Sequence, residues 1–265
     1  MFRRVGIYFC AGNSKRWFAR KNPVITSIMK NDLPITKQTY IDFKVFTGNE
    51  ILYALTDCKK LKPGEISHAL SELGKRKGAP ENFDWNAHPA IKATIERTKS
   101  QAHKWPCKNI TSLAHAYTRL NIKDPTLWYI LEKHVKRIIT AIEPIGLALC
   151  FNAFAGKGTP ELFEVLVKAV PKNIRFMEMK DILSMIKGIQ KANIQADELF
   201  TGHIYPEIKE KKKYCSVYEL NEMISVLSKR TDFADDLKNE LQNEIGKKME
   251  TKRDFSFGGI KKNNE

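Results

Sequence analysis

Between residues 107 and 142 the apolar positions recur at helical spacing twice, with a break between the two runs. Ile110, Leu113, Ala114, Tyr117 and Leu120 share one face of a first predicted helix. Leu127, Ile130, Leu131, Val135, Ile138 and Ile139 form the stripe of a second. Lys123-Asp124-Pro125 separates them. Asp124 suits the cap of a new helix, and Pro125 suits its first turn, where a missing N–H costs nothing. The pattern predicts a helix–turn–helix hairpin.

The hairpin recurs. Anchored on Tyr117, near the end of the first helix, equivalent apolar positions fall at Phe154, Ile189 and Leu227, at steps of 37, 35 and 38 residues, and upstream at Leu73, 44 residues away. The surplus upstream lies in residues 78–89, read as a loop inserted between two helices of one unit. Leu-Asn-Ile122 and Ala-Asn-Ile194 also coincide when the anchors are matched. An irregular helical domain with chance periodicity is the alternative, but turn signals recur together with the anchors. The expectation is therefore an all-α chain: an α-solenoid of about five two-helix repeats of 35–38 residues over residues 49–249, each unit unable to bury its apolar face alone.

Tetratricopeptide and ankyrin signatures are absent. The stretch opening Glu50-Ile-Leu-Tyr-Ala-Leu and running through Ile66-Ser-His-Ala-Leu-Ser-Glu-Leu73, together with Ser112-Leu-Ala-His-Ala-Tyr-Thr-Arg-Leu120 and Ser184-Met-Ile-Lys-Gly-Ile-Gln-Lys-Ala192, resembles the octotricopeptide and heptatricopeptide repeats. It is similar also to the helical part of FAST-kinase-like proteins. The resemblance covers roughly residues 48–249 and implies an organellar RNA-binding α-solenoid. Proteins of this kind often end in a RAP domain. The α/β pattern of such a domain is not seen in this sequence, so the resemblance carries no nuclease-like activity with it.

Charge moves the picture further. The formal net charge is +15 over 265 residues, which bears on partners rather than fold and favours nucleic acid or an anionic surface. A basic balance is also common in organellar proteins with Lys/Asn-rich coding. Residues 1–31 carry Arg3, Arg4, Lys15, Arg16, Arg20, Lys21 and Lys30 but no acidic residue. That composition matches a mitochondrial transit peptide, the alternative being a basic RNA-binding arm. Residues 32–48 read as an irregular linker and residues 250–265 as a flexible tail that orders only against a partner. Pro206 is expected to end or kink its helix. The basic run 209–213 reads as a solvated turn, and residues 233–248 as the last helix, with a polar outer face. No run is long and apolar enough to span a membrane. Cys10, Cys58, Cys107, Cys150 and Cys215 are odd in number and scattered, which fits free thiols in a reducing compartment.

Candidate chemistry is sparse. His103 and Cys107 are four apart, yet Pro106 interrupts any helix between them and no second pair is nearby. No phosphate-binding Gly-rich loop, nucleophile elbow or zinc-protease signature is present, so no enzyme activity, cofactor or metal is expected. The stronger signal is a polar register on the first helices. Two residues before each anchor stand Ser71, His115, Asn152, Lys187 and Ser225; two after stand Lys75, Arg119, Lys191 and Lys229, with Lys157 next to Gly156 in the remaining unit. Just before three of the anchors, the small Ala116, Ala153 and Gly188 would let helices approach closely. If the first helices line a concave surface, this register sets hydrogen-bonding groups beside cations, as recognition of a single strand requires. Any exposed helix face is polar, however, and the helix dipole favours cations near C-termini. The expected function is a non-catalytic RNA-binding component of a mitochondrial ribosome or RNA-processing particle in the matrix. Its expected partners are RNA, in particular rRNA, and neighbouring ribonucleoprotein subunits. The alternative is a scaffold that holds a peptide in a mitochondrial complex.

Overall fold

In the computed structural model, residues 41–76, 83–230 and 235–257 are described, with side-chain surroundings given as far as residue 250. The expected transit peptide, Cys10, most of the expected linker and residues 258–265 lie outside them. The described residues are all-helical, with eleven helices. These are α1 (Gly48–Thr56), α2 (Pro63–Lys75), α3 (Pro89–Gln101), α4 (Cys107–Arg119), α5 (Pro125–Ile138) and α6 (Pro144–Phe154). Then come α7 (Pro160–Asn173), α8 (Met179–Lys191), a composite α9 from Asp197 to Lys211, α10 (Val217–Leu227) and α11 (Asp235–Phe257).

Local chemistry sets the boundaries. Asp124 and Thr159 accept from the amides of Leu127 and Leu162 and so cap α5 and α7. Proline occupies the first turn of α2, α3, α5, α6 and α7. At the other end of α4 and α8, Asn121 and Asn193 take positive φ, 52° and 53°. The amides of Ile122 and Ile194 then reach back to the carbonyls of Tyr117 and Ile189 at 3.0 and 3.1 Å. This is the Schellman closure, in which a left-handed residue turns the chain and satisfies orphan carbonyls. Gly156, φ +78°, turns the chain after α6.

Helices of one parity pack on one another. α2, α4, α6, α8 and α10 contact each other in sequence, while α1, α3, α5 and α7 form a second series. The anchors Leu73, Tyr117, Phe154, Ile189 and Leu227 are all buried. Cross-bonds join equivalent positions, so the first-series helices lie side by side in one direction. Thr118 Oγ1 donates to the Ala153 carbonyl at 2.8 Å, and Gln190 Nε2 to the Val226 carbonyl at 2.9 Å. The small residues act as expected at Gly188, where an added Cβ would stand 2.6 Å from the Phe151 carbonyl carbon.

A connection not read from the sequence also recurs. Short 3-10 turns begin at Cys58, Ala102, Ile139, Ile174 and Lys212, at intervals of 44, 37, 35 and 38 residues. Each is followed by a buried residue (Leu61, Trp105, Ile142, Met177, Cys215) and then by a first-series helix. Four of these turns are held by a cation from a later helix. Arg97 donates to the Leu61 carbonyl, Arg137 to His103, Lys211 to Arg175 and Lys248 to Lys213, at 2.8–3.1 Å.

Three expectations need correction. Ile41, Phe43 and Phe46 are buried against the core, so the described part of the linker is packed rather than irregular. Pro206 does not end α9, which runs on to Lys211. A π-turn over Phe200–Ile204 precedes it, and the wider winding absorbs the hydrogen bond that proline cannot make. α11 continues to Phe257, past the expected end at residue 248 and into the expected tail: it runs through Gly246, and no proline interrupts it.

Candidate nucleic-acid interface

The cations two or three positions beyond the anchors lie at or just past the C-terminal ends of α2, α4, α6, α8 and α10, and the side-by-side packing brings those ends together. The stem of Arg119 lies over Gly74, with its Cβ 2.9 Å from where a Cβ would stand. Half-buried His115 has its pKa lowered by burial first, then by Arg119 and Lys75. Lys157 reaches over the α4 end, with Nζ 3.4 Å from Thr118 Oγ1 and 4.1 Å from the centre of the Trp128 ring. Its pKa falls to about 8, chiefly through burial and then through Lys191. The Gln190–Val226 bond, one residue before Lys191, carries the row on toward exposed Lys229. Lys75, Arg119, Lys157 and Lys191 thus follow one another along neighbouring helix ends, and Lys229 stands just past the end of α10, the next helix of the series.

The polar register two residues before the anchors is placed differently. Asn152 Nδ2 donates to Ser184 Oγ at 2.9 Å, across the seam between α6 and α8. Lys187 pairs with Glu222 across the next seam. Ser71 is half-buried on α2 and Ser225 exposed on α10. A helix flanked on both sides by like helices leaves only a narrow strip free, so Asn152 and Lys187 serve helix–helix contacts. Lys75 is likewise engaged, at 2.6 Å from Glu72.

Other basic residues fall outside the row. Lys209 and Lys212 both pair with Glu240 of α11, and Lys211 with Glu207, so the run expected to be a solvated turn is helical and largely ion-paired. A groove of about 730 Å³ lies between α3 and the start of α5. Its Lys99 is bound to Glu96 and Asp124, and this mixed charge makes it a poor phosphate site. His103 stacks on His134, with ring centres 6.5 Å apart. No cluster of three or more metal-ligating side chains occurs among the described residues. Cys58, Cys150 and Cys215 are buried free thiols, and no helix among the described residues is long and apolar enough to cross a membrane.

The depressed pKa of Lys157 has a testable sign. Its folded value, about 8, lies below its ordinary 10.5, so the unfolded chain binds more protons between those values and stability should rise with pH across that window. An anion docking on Lys157 favours the charged form, so anion affinity should fall as pH rises from 7 to 9, with proton uptake on binding. Lys157→Arg, which stays charged, should remove most of that pH dependence. Calorimetric titrations in two buffers of different ionisation enthalpy measure the uptake directly; an equal pH profile in the variant would contradict it.

No protein-family model matches the chain and no curated protein is significantly similar to it, so function rests on the residues themselves.

Proposed function

We propose that the protein is a non-catalytic RNA-binding α-solenoid of five two-helix repeats, and that the cation row at the ends of α2, α4, α6, α8 and α10 holds the phosphates of an RNA strand. The observation that carries this reading is crowding of like charge. Burial is the first cause of the lowered pKa of both Lys157 and His115, and the charges that add to it are all cations: Lys191 in the first case, Arg119 and the Glu72-paired Lys75 in the second. Such crowding opposes folding unless an anion relieves it, and a polyanion with regularly spaced phosphates does so along the whole row. The net charge of +15 agrees in sign. The stacked helices with cations at their ends, and no recognisable catalytic signature in this sequence, favour a role as a built-in subunit of a ribonucleoprotein particle. The acid-free residues 1–31 favour the mitochondrial matrix as its place.

Affinity for single-stranded RNA should then fall steeply with salt. Each neutralised phosphate contributes about 0.7 to the log–log slope, so three to five contacts give a slope of roughly −2 to −3.5. A salt titration of binding to a short oligo-uridine RNA measures it. A slope near zero would defeat the reading and favour the peptide-binding scaffold.

A further inference from the structure

The opposite end of the first-series helices carries a second feature. Phe176 and Tyr214 are the third residues of two successive 3-10 turns, and they are 62% and 79% exposed. The residue before each ring is a cation that lies on it: the Arg175 guanidinium carbon is 4.5 Å from the Phe176 ring centre, and Lys213 Nζ is 4.8 Å from that of Tyr214. Large rings left in water at equivalent positions of two neighbouring units are a repeated device rather than a scattered surface hydrophobe.

The turns hold these rings in fixed places. The first lies between buried Ile174 and Met177, and is closed by Met177 N donating to the Ile174 carbonyl at 3.1 Å. The second is closed by Cys215 N to the Lys212 carbonyl at 3.2 Å, with Cys215 buried. The carbonyls of the two cationic residues accept from Lys211 and Lys248 at 2.8 Å each. Each ring thus stands on a pinned turn, with one face partnered by its cation and much of the ring open to solvent.

We propose that this edge is a stacking platform for unpaired RNA bases, with Phe176 and Tyr214 each taking a base on the open face and Arg175 and Lys213 meeting the adjoining phosphates. Alternating ring and cation matches alternating base and phosphate, and stacking on an aromatic ring tolerates any base. Neighbouring packed helices lie roughly 8–10 Å apart, a gap that about two or three nucleotides span at 3.4 Å or more per step. The local chemistry favours a polyanion over a protein, since cations flank both rings. The proposal takes its ligand class from the proposed function but stands on different residues, about 20 Å away along a helix of this length.

The test compares binding of a short fluorescein-labelled oligo-uridine RNA with an abasic strand of the same length. The full chain is used as wild type, Phe176→Ala/Tyr214→Ala, Phe176→Tyr/Tyr214→Phe and Arg119→Glu/Lys191→Glu. Loss of the two rings should weaken oligo-uridine binding roughly tenfold or more, leave abasic binding within about twofold, and be rescued by the aromatic exchange, with an unchanged melting temperature. If the alanine pair binds oligo-uridine as wild type does while the charge-reversed pair fails, the platform is overturned, a protein partner becomes the better occupant, and the cation row stands. If the alanine pair weakens both strands equally, stacking is also overturned. Loss in the alanine pair alone keeps the platform and removes the row. If the wild type binds neither strand, both readings fall.

Discussion

Gly188→Val should destabilise the fold by about 3 kcal/mol or more, the largest stability effect expected from any single side chain added to it. Even the Cβ of an alanine would stand 2.6 Å from the Phe151 carbonyl carbon and 2.7 Å from the Asn152 nitrogen. Those are backbone atoms of α6, which cannot rotate away, so the two helices must separate and the buried faces around Phe151 and Ile189 must open. Helix propensity alone predicts the opposite sign, since alanine is better than glycine in a helix by about 1 kcal/mol. Gly246 on α11 supplies the contrast: an added Cβ there meets nothing within 4 Å. Gly246→Ala should therefore stabilise by roughly 0.5–1 kcal/mol. Urea denaturation of both variants reads the two signs. A Gly188→Val variant as stable as wild type would mean that α6 and α8 do not approach as closely as described.

Much of the fold was legible because the signals are local. Tyr117, Phe154 and Ile189 could be aligned by periodicity, and all three are buried. Asp124 caps the helix that the sequence assigns to it, Thr159 caps α7 by the same local chemistry, and the matched Asn-Ile endings are matched Schellman closures. What escaped depends on neighbours far along the chain. Asn152 and Lys187 are polar at a periodic position, but that position faces the next helix, and only the packing shows Ser184 and Glu222 opposite them. Arg97, Arg137, Lys211 and Lys248 carry no sequence mark of a structural role, yet each closes a turn about 35 residues earlier in the chain. Pro206 read as the end or kink of a helix because the compensating π-turn has no compositional mark. The rings of Phe176 and Tyr214 did leave a signal, since they recur at the repeat spacing. It becomes visible when the alignment is anchored on the connections instead of the first helices.

The measurement closest to the central claim is RNA binding after charge reversal in the row. Arg119 and Lys191 are both exposed, and glutamate keeps the Cβ and Cγ that Arg119 lays over Gly74. Arg119→Glu with Lys191→Glu should therefore leave the melting temperature within a few degrees of wild type. It also sets two negative charges into the row proposed to hold phosphates, one beside His115 and one beside Lys157. Affinity for single-stranded RNA should drop on the order of tenfold to a hundredfold at low salt, with the salt slope reduced by about 1.4. The control pair Lys133→Glu with Lys168→Glu lies on α5 and α7, is equally exposed, and changes net charge by the same amount. The account predicts that this pair binds within about threefold of wild type, because charges away from the contact act only through a screened field. Equal loss in the two pairs, or no loss in either, would contradict a phosphate-binding row on the first-series helices.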